Sequence, residues 1–317
     1  MKIVIPGGTG HLGTALTRSF RSDGHHVVVL SRNVESPGLL WDGRTLGDWA
    51  QAIDGADAVI NLAGRSVNCR YDAQHREEIL RSRVNSTRVI GEAIARAARP
   101  PRVWLQASTA TIYSHRYDAP NDERHGLLGG TEPDAPEEWR FSIDVAKAWE
   151  QTLDEAETPN TRKVKMRTAM VMSAARGGAF HALLRHVRLG LGRIGDGRQF
   201  MSWIHERDFI RAVEWLIARD LVTGPVNLAA PEPLPNAEFL RILAEEWGTN
   251  VAVPAGEWMI EVGAWLMRTE PELVLKSRRV VPTRLLEQGF AFEFPTWAEA
   301  ARGLCAQLRG AGGERVW

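Results

Sequence analysis

The chain has 317 residues, 44% of them hydrophobic and 25% charged, the composition of a protein with a core and not of a disordered segment. Lysine plus arginine equals aspartate plus glutamate at 39 each, so no net field draws the chain toward nucleic acid or an anionic membrane. Two cysteines without C-x-x-C spacing exclude a disulfide framework and a structural zinc, and they fit a reducing compartment, with the cytoplasm as the expected address. The first apolar run is too short for a signal peptide, and no window approaches the ~18 apolar residues of a membrane span.

Lys2 to Pro6 is a β-branched run that ends in Gly7 and Gly8; Leu12, Ala15, Leu16 and Phe20 follow at helical spacing as far as Gly24. His26 to Leu30 is apolar without alternation, the pattern of a parallel strand covered on both faces. A third strand is expected to end at Asp42, and Asp57 to Gly64 reads as a strand and turn. Glu77 to Ala98 reads as a long helix, Arg102 to Ala107 as a strand, and Tyr113 to Trp139, rich in Pro, Gly and acids, as a long surface loop. A helix over Phe141 to Leu153 and a strand over Val164 to Met172 follow. This alternation predicts an α/β fold, a Rossmann doubly wound parallel sheet. After Ser173 come a helix over His181 to Leu189, a glycine-rich turn over Gly190 to Gln199, a helix over Asp208 to Ala218 and a strand over Val226 to Ala229. Two further helices are expected over Asn236 to Trp247 and Trp258 to Met267. The expected division is a Rossmann domain over 1–172, with 206–229 returning to it, and a smaller, mostly helical substrate domain over 173–317.

Gly7-Gly8-Thr9-Gly10-His11-Leu12-Gly13 is a G-x-x-G-x-x-G loop between the first strand and the first helix. Glycine permits the tight turn and the close approach of a pyrophosphate, and the helix start offers free N–H groups and a positive dipole end. Gly7, Thr9, Gly10, His11, Leu12 and Gly13 are therefore the expected dinucleotide contacts. The second strand ends at Ser31-Arg32 with no acid for a ribose 2′-hydroxyl, whereas the planar fork of Arg32 suits a 2′-phosphate; this favours NADP(H) over NAD. Asp42 reads either as an adenine contact or as a turn former. Leu62, Ala63 and Gly64, and the segment Ser108 to Tyr113, fall at carboxyl ends of strands, where open α/β sheets bind ligands.

At this point the chain resembles the extended short-chain dehydrogenase/reductases. The resemblance implies a catalytic hydroxyl at Thr109, which reads equally as a strand-end hydroxyl, and a ribose-binding Lys147. In that family a tyrosine stands four residues before the lysine as the acid/base; here the position is Ile143. The family's active-site asparagine falls on Arg83, for which an anionic group of the substrate or cofactor is the expected partner. Val59-Ile-Asn-Leu-Ala-Gly64, Ser82-Arg83-Val84, Lys147-Ala-Trp149-Glu150, Gly195-Asp-Gly197, Ser202-Trp203-Ile204-His205 and Gly224 to Pro231 narrow the resemblance. They are similar to an atypical branch, NAD-dependent epimerase/dehydratase family proteins of unknown substrate, with a C-terminal domain of unknown function from about Val253.

The resemblance implies Gln199, Trp203 and His205 as substrate contacts, although Trp203 reads equally as core and His205 as a buried hydrogen-bonded residue. No metal is expected, since His205 and Asp208 lack a third ligand. Tyr113, Arg83, His205 or a water could stand in for the missing tyrosine. Two readings follow: an NADP(H)-dependent oxidoreductase or epimerase-like enzyme acting on a small polar molecule, or a non-catalytic NADPH-binding sensor. Neither nucleic acid nor membrane is expected as a partner, and a homodimer is one option.

Overall fold

Short β-branched and apolar segments, each too short to bury both faces alone, assemble edge to edge into one sheet. The computed structural model describes residues 1–33, 38–132, 136, 139–249, 253–255 and 272–311; the helix expected over Trp258 to Met267 lies outside them. The chain forms two units of three segments each: Met1–Ile112, Phe141–Arg167 and Ile210–Val226, then Tyr113–Arg140, Thr168–Phe209 and Asn227–Trp317.

The sheet contains β1 (Lys2–Pro6), β2 (His26–Ser31), β3 (Leu39–Leu40), β4 (Ala58–Asn61), β5 (Val103–Thr109), β6 (Arg162–Thr168) and the strand Gly224–Leu228. From the last of these its order is β6, β5, β4, β1, β2, β3. β1 pairs in parallel with β2 on one side and with β4 on the other. Strand order reverses there, and such a switch point is where a doubly wound sheet opens its ligand crevice. The Rossmann sheet expected from the alternation is present. Helices α1 (His11–Ser22), α2 (Ala73–Arg96) and α3 (Arg140–Glu155) follow β1, β4 and β5. One face of the sheet packs Val4, Leu30 and Val59 with Ile90, Ile94, Trp104 and Leu153, each such side chain contributing about 1.5–3 kcal/mol of burial.

Three local expectations change. α2 begins at Ala73 and not near Glu77, because the Asp72 carboxylate accepts the His75 N–H at 2.8 Å and caps the helix. Val164 to Met172 is two strands: β6 ends at Thr168, and Met170–Met172 pairs with Trp203–His205 in the second unit. The break falls at Ala169, whose N–H donates to Leu228 O at 3.0 Å. The expected surface loop from Tyr113 is pinned inward: Tyr113, Ser114 and Asn121 are buried, and Asn121 bridges Val280.

The switch point is built by contact of backbone on backbone. Gly7 has φ +78°, and a Cβ there would lie 2.8 Å from Ala63 N, whereas Gly24 has φ +77° with nothing within 4 Å. Gly24→Ala should therefore cost about 1–2 kcal/mol of left-handed strain, and Gly7→Ala a further ~1–3 kcal/mol of overpacking. Guanidinium unfolding of both variants checks this, and equal losses would contradict the packing account.

Candidate functional site

Gly7 N–H donates to Leu30 O at 3.0 Å and Gly10 N–H to Gly7 O at 3.0 Å, so the loop turns on itself before Thr14 N–H, donating to Gly10 O at 2.8 Å, sets the first turn of α1. A Cβ on Gly13 would lie 2.5 Å from Gly8 Cα, whereas one on Gly10 would meet only Gly7 O at 3.4 Å. The inner side of the loop is closed by backbone; the outer side at Gly10 is open. No side chain caps α1, and no acid stands in its first turn, where His11, Leu12 and Gly13 sit, so the positive helix end remains for an anion. Thr9 is exposed, with Oγ1 3.5 Å from Ser31 Oγ. Ser31 is buried and its Oγ accepts the Asn33 N–H, shaping the turn that presents an exposed Arg32. The Asp42 carboxylate holds a turn, accepting from Thr45 N and Arg44 N, at 2.9 and 2.8 Å, and from Thr45 Oγ1, at 2.7 Å. The Thr45 N–H foremost holds that carboxyl below its usual range.

The other lip of the switch point is set by Asn61, wholly buried. Its Nδ2 donates to Gln106 Oε1 and its Oδ1 accepts the Ala63 N–H, both at 3.0 Å, which fixes the turn through Leu62 and Gly64. Arg83 reaches this turn from α2: a Cβ on Gly64 would sit 3.3 Å from its Cζ. Its Nη1 donates to Arg65 O and Ile79 O at 3.1 and 3.0 Å, and its guanidinium lies over the Trp149 ring at 5.0 Å. Burial pushes Arg83 down to about 10 against the opposing influence of Tyr71 and Cys69. Trp149 is itself held, its Nε1 donating to Thr87 Oγ1 at 3.0 Å.

Thr109 ends β5, and its Oγ1 accepts the Thr111 N–H at 3.1 Å. Lys147 is half-buried on α3, and Ile143 is 2% exposed, a core position without a hydroxyl. Between them lies a network that sequence reasoning missed. Ser108 Oγ donates to Glu150 Oε1 at 2.6 Å, and Arg167 donates to both Glu150 oxygens at 2.8 Å. All three side chains are buried. The available signal was Glu150 one helical turn after Lys147.

The remaining candidates belong to the second unit and are buried in its interior. Tyr113 Oη donates to Asn227 Oδ1 at 2.9 Å. Gln199, Trp203 and His205 are likewise buried. Gln199 Nε2 donates to Ile194 O at 2.9 Å. Trp203 is 0% exposed and meets Trp297 edge-on at 5.1 Å. His205 is 2% exposed, accepts the Arg207 N–H on Nδ1 at 3.1 Å and stacks on Phe294 at 3.8 Å. Burial pushes His205 down to about 4. Asp208, in the first turn of the helix Glu206–Ala218, accepts the N–H groups of Glu293 and Phe294 at 2.7 and 2.8 Å. Among the described residues no cluster of His, Cys, Asp or Glu suits a metal ion. No described helix is long and apolar enough to cross a membrane.

Residues 3–229 match the model of the NAD dependent epimerase/dehydratase family, and residues 255–304 match a domain of unknown function, DUF1731. The chain belongs to the NAD dependent epimerase/dehydratase family. Among relatives, the epimerase family protein SDR39U1 of Bos taurus is 32% identical over 313 residues, covering 96% of this chain and 100% of the relative. The crystal structure of human SDR39U1 with NADPH has a TM-score of 0.84 at 29% identity, covering 97% of this chain and 100% of that one. The nucleoside-diphosphate sugar epimerase of Corynebacterium glutamicum has a TM-score of 0.75 at 26% identity, covering 99% of this chain and 62% of that one. The resemblance read from the motifs thus extends over nearly the whole chain.

Two outcomes test this geometry. Arg167→Met removes two of the bonds to the buried Glu150 carboxylate, leaving it Ser108 and the more distant Lys165 at 3.8 Å, and should cost about 3–5 kcal/mol in a guanidinium titration. For His205, the unfolded chain takes up a proton near pH 6.5 while the folded chain resists until about pH 4. Stability from His205 is therefore complete above about pH 7 and falls by up to roughly 3 kcal/mol as the pH drops through that window. His205→Gln should lose this part of the difference between unfolding free energies at pH 7.5 and pH 4.5.

Proposed function

We propose that the first unit binds NADPH and that the chain is an oxidoreductase or epimerase-like enzyme acting on a carbonyl or hydroxyl of a small polar molecule. The observation that carries the reading is the switch point: a glycine loop closed inward by backbone and open outward at Gly10, beside an uncapped α1. That arrangement suits a pyrophosphate on the N–H groups of Gly10 to Gly13. Human SDR39U1, which shares 29% identity across nearly the whole chain, was crystallised with NADPH and supports the same assignment.

In this reading Arg32 grips the 2′-phosphate, Thr9 and Ser31 flank the adenosine ribose, and Leu62 to Gly64 back the nicotinamide ribose. Lys147 binds that ribose from α3, and Thr109 orients the substrate oxygen. When bound, the nicotinamide supplies hydride transfer; the chain's own residues bind, orient and handle protons. Two free thiols, Cys69 and Cys305, support a reducing compartment, the cytoplasm. The buried apolar Ile143 supports a second reading, an NADPH sensor without turnover.

The test is a titration of the purified protein with NADPH and NADH followed by nicotinamide fluorescence. NADPH should bind tighter, and Arg32→Ala should weaken it about 10- to 100-fold, the worth of a bidentate charge-assisted contact, with little effect on NADH. Absence of binding of either nucleotide at millimolar concentration would reject the reading.

A further inference from the structure

Arg83 is a guanidinium with one end tied and one edge left over. Its Nη1 donates to Arg65 O at 3.1 Å and to Ile79 O at 3.0 Å, which uses both hydrogens of that nitrogen. Among the described residues nothing accepts from its Nε or Nη2, and no carboxylate pairs with it. Those two nitrogens make the side edge of the guanidinium, the fork that grips a planar carboxylate through two parallel bonds. The Trp149 ring covers one face at 5.0 Å, and Thr87 Oγ1 fixes that ring by its Nε1, so the plane of the fork is held. Burial pushes Arg83 down only to about 10, and the group stays charged at neutral pH. A desolvated cation whose donors lack acceptors costs stability, and a bound anion would remove that cost.

The place of that edge narrows what the anion belongs to. A Cβ on Gly64 would lie 3.3 Å from Arg83 Cζ, which puts the guanidinium against the turn after β4. Asn61 of β4 pairs in register with Gln106 of β5, and Gly64 and Thr109 each stand three residues beyond that pair. Trp149, on the other side of Arg83, follows Lys147 by two residues on α3. Arg83 thus lies between the turn and the helix that hold the nicotinamide ribose in the NADPH reading, near the strand end that orients the substrate oxygen. The cofactor's own anions have other places in that reading, the pyrophosphate at Gly10 to Gly13 and the 2′-phosphate at Arg32. The anion for Arg83 is left to the substrate. One guanidinium balances one carboxylate, whereas a phosphate dianion asks for a second cation, and Arg65 on the same turn is already paired with Glu78 at 2.7 Å.

We propose that the Nε–Nη2 edge of Arg83 binds a carboxylate of the substrate, so that the substrate class is an oxo or hydroxy acid with its acid group close to the reacting carbon. The inference rests on the NADPH reading and names the substrate of that same site. Arg83 sets specificity by binding, and no proton or hydride passes through it. An asparagine, which the resemblance implies at this position, would bring an amide without charge. The arginine therefore turns the preference of the site from a neutral oxygen to an anion, and it does so from a side chain whose direction is already fixed before the ligand arrives.

The test is a calorimetric titration of the full-length protein, with and without saturating NADPH, using pyruvate, acetoacetate and phenylglyoxylate, each against its methyl ester. At least one acid should bind about tenfold or more tightly than its ester. Arg83→Met should abolish that preference, the acid losing about 10- to 100-fold, the worth of a bidentate charge-assisted contact. Ester and NADPH affinities should hold in the same variant, which shows that it has folded. Arg83→Lys keeps the charge without the fork and should recover only part of the loss. An unmodified protein that prefers no acid over its ester overturns the proposal, and so does an acid preference that survives both substitutions. Tighter binding of dihydroxyacetone phosphate than of every acid overturns the carboxylate assignment. A loss of NADPH affinity in Arg83→Met as large as the loss of acid affinity gives Arg83 to the cofactor and overturns it too. An acid preference that depends on Arg83 in a protein that binds no NADPH would support the carboxylate site while rejecting the cofactor reading.

Discussion

A carboxylate buried among packed elements must be fully hydrogen-bonded or it will not stay charged. Glu150 meets that condition by taking one bond from Ser108 on β5 and two from Arg167 on β6. The requirement fixes three elements at once. Ser108 immediately precedes Thr109, and Glu150 lies one turn beyond Lys147, so the two residues proposed for substrate and ribose are placed by one polar network and not by loop conformation. Lys165 adds a second cation 3.8 Å from the same carboxylate, so the charge of Glu150 is met from two side chains of β6.

The second constraint is steric. Gly7 and Gly13 admit no side chain because backbone already fills the space, and Asn61 holds the opposing turn from within the sheet. The nucleotide loop therefore owes its shape to contacts that would exist without ligand, as preorganised binding demands. Arg83 adds to this. An arginine where the resemblance implies an asparagine needs more room and a route for its charge, and Gly64 and Trp149 provide both. The departure at Arg83 comes with compensating neighbours, the mark of a built arrangement and not of decay.

What could be read from the sequence was local. The alternation of apolar runs and helical spacing gave the sheet, and the glycine loop gave the switch point, because each depends on residues adjacent in the chain. The start of α2 was legible in principle, since Asp72 is an ordinary capping residue, but it precedes the apolar stripe by several positions. The segment from Tyr113 read as surface because the groups that pin it are polar: Asn121 is buried and bonds to Arg279 O and Leu127 N. Trp203 and His205 read as ambiguous because their partners, Trp297 and Phe294, lie some ninety residues downstream.

The missing tyrosine then takes on a different meaning. At 2% exposure, Ile143 is part of the packing of α3, and a phenol there would have to bring its hydroxyl out to water or to a ligand. The chain instead keeps an apolar contact at that position and places a cation, Arg83, on the neighbouring helix. A lysine and an arginine differ in what they can do to an acid: the ammonium is a mobile point charge, whereas a guanidinium held by two carbonyls and an indole ring keeps its orientation. Arg83 is thus oriented by α2 and by the turn after β4. The two departures from the family pattern are each met by packing, Ile143 by an apolar core and Arg83 by two carbonyls and an indole ring.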